Sequence, residues 1–182
     1  RYEFKPSLPG FHQGENAAVA IRAAELLGRV WRPLDPRKMI AAIGRTRWEG
    51  RLETVGSKPP VILDGAHNPE GAASLAAYLR DAVRKPVILI FDAMKDKDIG
   101  AMAASLFPLA RTVVLTRIPM ARAAEPEEVL RLWKGRRGNI LMESDIGKAL
   151  KLAKGLAGAT TPVVAAGSLF LVGEIKKIVF SR

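Results

Sequence analysis

The chain has 182 residues, 48% of them hydrophobic, with ordinary Gly and Pro content and no Cys, enough to bury one domain core and carry an appendage. No apolar run approaches the ~18 residues of a membrane helix, no basic-then-apolar leader opens the chain, and disulfides and thiolate metal sites are excluded, so a soluble, cytoplasmic protein with no membrane partner is expected. The net charge of +11 raises the possibility of nucleic acid, but the clusters Arg45-Thr46-Arg47, Arg136-Arg137 and Lys176-Lys177 are far apart, aromatics are 6%, and no nucleic-acid-binding signature is present. A solvated basic surface is the plainer reading, with attraction of anionic small molecules second.

The chain opens on Arg1, without an initiator Met. Tyr2-Glu3-Phe4 alternates like the end of a strand, Leu8-Pro9-Gly10 reads as a turn, and residues 16–27 carry Ala17, Ala20, Ile21, Ala24 and Leu27 at helical spacing. One amphipathic helix and a strand remnant cannot enclose a core, so residues 1–44 read as the tail of something larger. His12, Gln13 and Asn16 are spaced to cluster at the start of the helix, where polar side chains can cap first-turn N–H groups. Pro33 to Gly50 behaves as a connector with a short helix at Arg37 to Ile43; the domain boundary falls there, with a linker at 45–50. Trp48 reads as a hinge-packing aromatic. Arg51 is a surface Arg at a strand start or a planar cation able to hold phosphate oxygens.

From residue 51 to 182 the pattern alternates regularly. Strands are predicted near 52–55, 60–64, 86–92, 112–116, 139–142 and 162–166, and helices near 69–83, 97–106, 125–134, 145–156 and 168–179. This predicts an α/β fold, a mostly parallel six-stranded sheet with helices on both faces, Rossmann-like in plan. The first strand, joined to the second through Gly56-Ser57-Lys58, is the expected antiparallel edge. No G-x-G-x-x-G occurs, so a dinucleotide is not indicated.

The densest chemistry follows the second strand, in Val61-Ile62-Leu63-Asp64-Gly65-Ala66-His67-Asn68-Pro69-Glu70-Gly71. At the carboxyl end of a parallel strand, side chains and helix-N-terminal N–H groups converge on a crevice that favours anions. The ordinary structural reading has Asp64 ending the strand, Asn68-Pro69 opening a helix, and His67 satisfying a turn. Further on, Asp96 can cap the next helix while Lys97 points an ammonium over the same sheet edge. Ser168 reads first as an N-cap, with Gly167 permitting the turn; a helix N-terminus with a hydroxyl also suits a carboxylate.

Five strings in order, Gly10-Phe11-His12-Gln13-Gly14-Glu15-Asn16-Ala17-Ala18, Trp48-Glu49-Gly50-Arg51-Leu52-Glu53, the Asp64 stretch, Ala93-Met94-Lys95-Asp96-Lys97-Asp98 and Gly167-Ser168-Leu169-Phe170-Leu171, give a chain that resembles the folylpolyglutamate synthase and dihydrofolate synthase family of the Mur-ligase group. The resemblance implies an ATP-dependent ligase that adds L-glutamate to folate or dihydropteroate through an acyl phosphate, with residues 1–44 the end of a central ATPase domain and 51–182 the C-terminal ligase domain. It implies Asn16 at the adenine, Arg51 at the phosphates, Asp64 at the ribose, and His67 with Ser168 where glutamate meets the acyl phosphate. Lys97 or Lys95 would hold the amino-acid carboxylate; spacing does not choose between them.

No G-x-x-x-x-G-K-[ST] phosphate loop occurs; the sole Gly-Lys pair, Gly147-Lys148, is followed by Ala149. ATP and Mg2+ are expected as cofactors with the metal ligands outside this stretch, the parent as a monomer, and this chain alone as inactive. A free-standing Rossmann-like nucleotide- or anion-binding module and a basic nucleic-acid-binding domain are the alternatives.

Overall fold

The structure, a computed structural model, describes residues 2–135 and 138–180; the Arg136-Arg137 pair lies outside the described residues. The chain forms two compact units, Arg1–Arg51 and Leu52–Arg182. In the first, α1 (His12–Val30) is longer than its apolar periodicity predicts and buries only the stripe Gln13, Ala17 and Ile21. A short α2 (Pro36–Ile43) follows, started by Pro36 and by the Asp35 carboxylate, which accepts the Arg37 N–H at 2.8 Å. Tyr2-Glu3-Phe4 corrects the strand expectation: the segment is irregular and pairs with no strand among the described residues. Three alternating residues do not make a strand without a neighbour to take their backbone hydrogen bonds, and Tyr2 instead donates its hydroxyl to Glu25 at 2.9 Å.

The second unit contains β1 (Glu53–Val55), β2 (Val61–Leu63), α3 (Pro69–Tyr78), β3 (Val87–Phe91), α4 (Ile99–Leu106), β4 (Ala110–Leu115), α5 (Pro126–Leu132), β5 (Ile140–Met142), α6 (Ile146–Ala157), β6 (Val163–Ala166) and α7 (Leu169–Phe180). All six strands lie within the predicted stretches except β4, which starts two residues early. The helix predicted over 69–83 is α-helical to Tyr78 and ends in a π-helical turn, Leu79–Val83, closed by Arg84 at φ 56°.

Strand order is β1-β2-β6-β3-β4-β5, antiparallel at β1 and parallel elsewhere. The strands read as continuous aliphatic runs because both faces are covered. Alternation divides each run between two cores. Ile62, Leu89, Phe91, Val113, Leu115 and Val164 pack with Leu75 of α3, Met102 of α4 and Val129 of α5. Leu63, Ile88, Ile90, Val114 and Val163 pack with Leu150 of α6 and Leu171 and Ile175 of α7 on the other side. All five residues of β3 are buried, each apolar side chain contributing about 1.5–3 kcal/mol relative to exposure. A short ion pair, Lys176 Nζ to Glu53 Oε1 at 2.7 Å, ties α7 to the antiparallel edge.

Candidate functional site

The sheet fixes where a ligand can enter. β2 leads into α3 on one face, while its neighbour β6 leads into α7 on the other, so the two connections part and leave a crevice at the carboxyl edge. Register pairs Leu63 with Ala165 and Phe91 with Ala166. The residues that follow, Asp64, Gly167 and Asp92, therefore end three neighbouring strands side by side.

Asp64 is 6% exposed. Its Oδ2 accepts the Leu52 N–H at 3.0 Å and its Oδ1 the Ala66 N–H at 2.9 Å, so the carboxylate clamps the entry of the β1–β2 hairpin to its exit. His67 is half-buried, its Nδ1 lying 2.8 Å from the Gly65 carbonyl. A carbonyl only accepts, so Nδ1 carries the proton and, in the neutral ring, Nε2 is left as a base. Asn68 caps α3, its Oδ1 accepting the Gly71 N–H at 2.8 Å, with Pro69 in the first turn. A Cβ at Gly71 would lie 2.9 Å from Asn68 Oδ1 and 3.2 Å from Ala66 Cα, so only Gly allows the loop to close this tightly on the helix.

From β6, the Gly167 N–H reaches the Ala66 carbonyl at 2.8 Å, joining the two sides of the crevice. Ser168 is 2% exposed and caps α7, its Oγ accepting the N–H of Phe170 at 3.1 Å and of Leu171 at 3.4 Å. Asp92, at the end of β3, is fully buried, and neither of its carboxylate oxygens has a well-formed hydrogen bond among the described residues. Burial pushes its pKa up to about 6, against the opposing pull of the Ile118 N–H, the Ser168 hydroxyl, the Ala93 N–H and the Arg117 charge. Asp92 is absent from the residues singled out in the sequence; the available signal was an acid closing the all-apolar run Val87–Phe91, as Asp64 closes Val61–Leu63.

The loop after β3 is held by an isolated bridge between Met94 and Ala123 and by Lys95 N–H to the Arg122 carbonyl at 2.9 Å. Asp98, not Asp96, caps α4, accepting the Ala101 N–H at 3.0 Å. The helix starts at Ile99, which places Asp98 at the cap; Asp96 is pulled into ion pairs with Lys97 at 3.1 Å and Arg122 at 3.2 Å. These cations, Lys97 foremost, hold the Asp96 carboxyl below its usual range. Lys95 is exposed, with Nζ 3.8 Å from Glu128 Oε2.

Arg51 closes the first unit and is half-buried. Trp48 is 65% exposed, not packed as a hinge aromatic. Capping does not explain His12, Gln13 and Asn16, because Phe11 is the N-cap of α1 and makes no side-chain cap bond. The three side chains form a row instead, with Asn16 Nδ2 donating to Gln13 Oε1 at 3.2 Å and Gln13 Nε2 lying 2.9 Å from His12 Nε2. Gln13, Asn16 and Thr46 line a pocket of about 180 Å³ whose walls include Leu8, Ala20 and Ile43. That is below the ~300 Å³ of typical small-molecule sites, so it suits one flat ring with a polar edge rather than a whole nucleotide. Among the described residues no three His, Asp or Glu side chains converge as a metal site would require, and no helix is long and apolar enough to cross a membrane.

Comparison with known proteins gives this geometry a family. Residues 50–169 match the family described as "Mur ligase, glutamate ligase domain". The folylpolyglutamate synthase of Lacticaseibacillus casei is 32% identical over 174 residues, spanning 93% of this chain and 39% of that protein. The dihydrofolate synthase/folylpolyglutamate synthase of Bacillus subtilis is 29% identical over 177 residues, 96% of this chain and 41% of that protein. A solved structure of Mycobacterium tuberculosis folylpolyglutamate synthase, complexed with ADP and AMPPCP, superimposes with TM-score 0.87 at 26% identity, covering 97% of this chain and 42% of that one. The chain thus spans well under half the length of each, and it belongs to the Mur ligase, glutamate ligase domain family, as a homologue of folylpolyglutamate and dihydrofolate synthases.

Proposed function

We propose that residues 51–182 are the glutamate-receiving domain of an ATP-dependent ligase that adds L-glutamate to folate or dihydropteroate, and that residues 1–44 belong to its ATP-binding domain. The observation that carries the reading is the crevice where β2 and β6 part, with the Asp64-to-Gly71 loop on one side and Gly167-Ser168 on the other, in a chain matched to glutamate ligase domains. ATP supplies the activation: a carboxylate oxygen of the acceptor takes the γ-phosphoryl group and ADP leaves. The glutamate amine then attacks the acyl carbon, losing a proton as phosphate departs. Positioning and electrostatics dominate such chemistry.

His67 carries its proton on Nδ1, and its Nε2 is the base that orients the amine and takes its proton. The N-terminus of α7, capped by Ser168, faces the amino-acid carboxylate, with Lys97 or Lys95 as the mobile cation. Arg51 holds the phosphate oxygens during transfer. The polar edge formed by Gln13 and Asn16 reads the adenine. Asp64 acts at the ribose, its carboxylate held in place by the Leu52 and Ala66 N–H groups. Mg2+ would neutralise phosphate charge during transfer; among the described residues no His, Asp or Glu cluster would hold it.

The test is ligation of labelled glutamate to folate and to dihydropteroate, with and without ATP. It uses this chain and a longer protein that carries the ATP-binding domain upstream. ATP-dependent product is expected from the longer protein and none from this chain. Failure of the longer protein on both acceptors overturns the reading, and salt-sensitive binding of a DNA or RNA oligomer tighter than that of an ATP analogue would replace it with a nucleic-acid function.

A further inference from the structure

Ser168 has a proton left over. Its oxygen takes two N–H donors of the first turn of α7 at 3.1 and 3.4 Å, which uses its lone pairs and leaves the hydroxyl hydrogen in want of an acceptor. Ser168 is 2% exposed, so water is a poor candidate. The side chain beside it is Asp92, buried and without a well-formed hydrogen bond of its own among the described residues. An unpaired buried carboxylate is costly, and one that survives at a ligand crevice calls for an explanation. A second contact joins the same two elements: a Cβ at Gly167 would fall 2.0 Å from the Asp92 carbonyl oxygen, so the turn into α7 is pressed directly onto the end of β3.

We propose that Asp92 is a positioning residue of the crevice, its buried carboxylate accepting the Ser168 hydroxyl and thereby fixing the first turn of α7 against the end of β3. This rests on the reading of the crevice as the place where glutamate is received. Asp92 does not touch the substrate; it acts through Ser168. The loop that follows Asp92 carries Lys95 and Lys97, so the same carboxyl links the cationic loop to the helix N-terminus.

The test has two arms. In the longer protein, Asp92→Asn keeps the shape but replaces the charged acceptor of the Ser168 hydroxyl by a weaker, neutral one. It is expected to raise the KM for glutamate about tenfold while kcat stays within about threefold and the KM for ATP within about twofold. Because Asp92 acts through Ser168, the double variant Asp92→Asn/Ser168→Ala should be no worse than Ser168→Ala alone. An unchanged glutamate KM, or effects that multiply, overturns the proposal. The second arm needs no activity: in 15N spectra of this chain, the Phe170 and Leu171 amides should shift in Asp92→Asn, and unmoved signals overturn the proposal as well. If Asp92→Asn does not fold, the 13C signal of the Asp92 carboxyl in Ser168→Ala is read instead, and must move. Should the unsubstituted longer protein fail to ligate glutamate, the proposed function falls, and the spectra alone decide the role of Asp92.

Discussion

The Asp64 carboxylate accepts the backbone N–H of Leu52 at 3.0 Å, and Leu52 has φ 50° with its side chain buried. A bulky residue in the left-handed region is strained by about 1–3 kcal/mol and persists only where its surroundings hold it. One carboxylate oxygen does the holding while the other takes the Ala66 N–H at 2.9 Å. Asp64→Ala should leave two buried N–H groups unpaired and cost about 2–5 kcal/mol in denaturant unfolding. Asp64→Asn retains one acceptor and should cost less than half as much. If Asp64→Ala unfolds within about 0.5 kcal/mol of wild type, the clamp is not what holds Leu52.

Gly167→Ala should be among the more damaging single changes. Its φ of 108° excludes an ordinary L side chain, and the added Cβ would collide with the Asp92 carbonyl oxygen and the Phe91 ring. A loss of about 3 kcal/mol or more in unfolding free energy is expected, with weakened glutamate use in the longer protein. Gly155→Ala, with nothing near the new Cβ and a helical backbone, is the control and should be neutral or stabilising by up to about 1 kcal/mol.

The raised pKa of Asp92 sets the sign of a pH effect. Below its ordinary value of 3.8 the carboxyl is protonated in both folded and unfolded chains and costs nothing. Between 3.8 and about 6 the folded chain binds more protons, so stability falls as pH rises; above about 6 the penalty is complete. The full separation corresponds to about 3 kcal/mol. The carboxyls of Glu25, Asp96 and Glu128, all shifted downward, work in the opposite direction. The measurement is therefore the difference between wild type and Asp92→Asn across pH 3.5 to 7.5, expected to favour the variant progressively as pH rises. A flat difference would show that the carboxyl is not held neutral by burial.

Kinetics of the longer protein should separate Arg51 from His67. Arg51→Ala is expected to lower kcat about ten- to a hundredfold with little change in the KM for ATP, because charge moves onto the phosphoryl oxygens only as the bond breaks. Arg51→Lys should recover only part of this, since an ammonium cannot reproduce a bidentate fork. His67→Gln removes the base at Nε2 and should lower turnover about a hundredfold. Both variants within about twofold of wild type would move the chemistry away from these residues.

The sheet was legible because its strands are aliphatic runs between turn residues, and runs buried on both faces leave that signature. Asp64, His67 and Ser168 stood out as candidates because strand ends and helix starts are where chemistry and capping coincide, which is also why the sequence could not separate the two roles. Geometry adds what spacing lacks: both Asp64 oxygens hold backbone, and the Gly65 carbonyl selects the His67 proton. Asp92 was hidden because nothing in a one-dimensional pattern shows that Phe91 pairs with Ala166 and brings it beside Ser168. Asp96 was chosen over Asp98 because each precedes helix-compatible residues, and the helix starts at the later one. The strand expected at Tyr2-Glu3-Phe4 failed for want of any partner among the described residues.

The place of β6 between β2 and β3 has a consequence for how the site comes into being. Val163 pairs with Val61 on one side and Ile88 on the other, so two strands made early stay apart until the last one slides between them. A ribosome-bound chain stopped before Val163 has Asp64 and Asp92 but no wall between them, and two parallel edges open to other chains. Closing these long-range pairs is slow by topology. The crevice therefore cannot close before β6 is in place, and affinity for its ligand reports that this strand has seated.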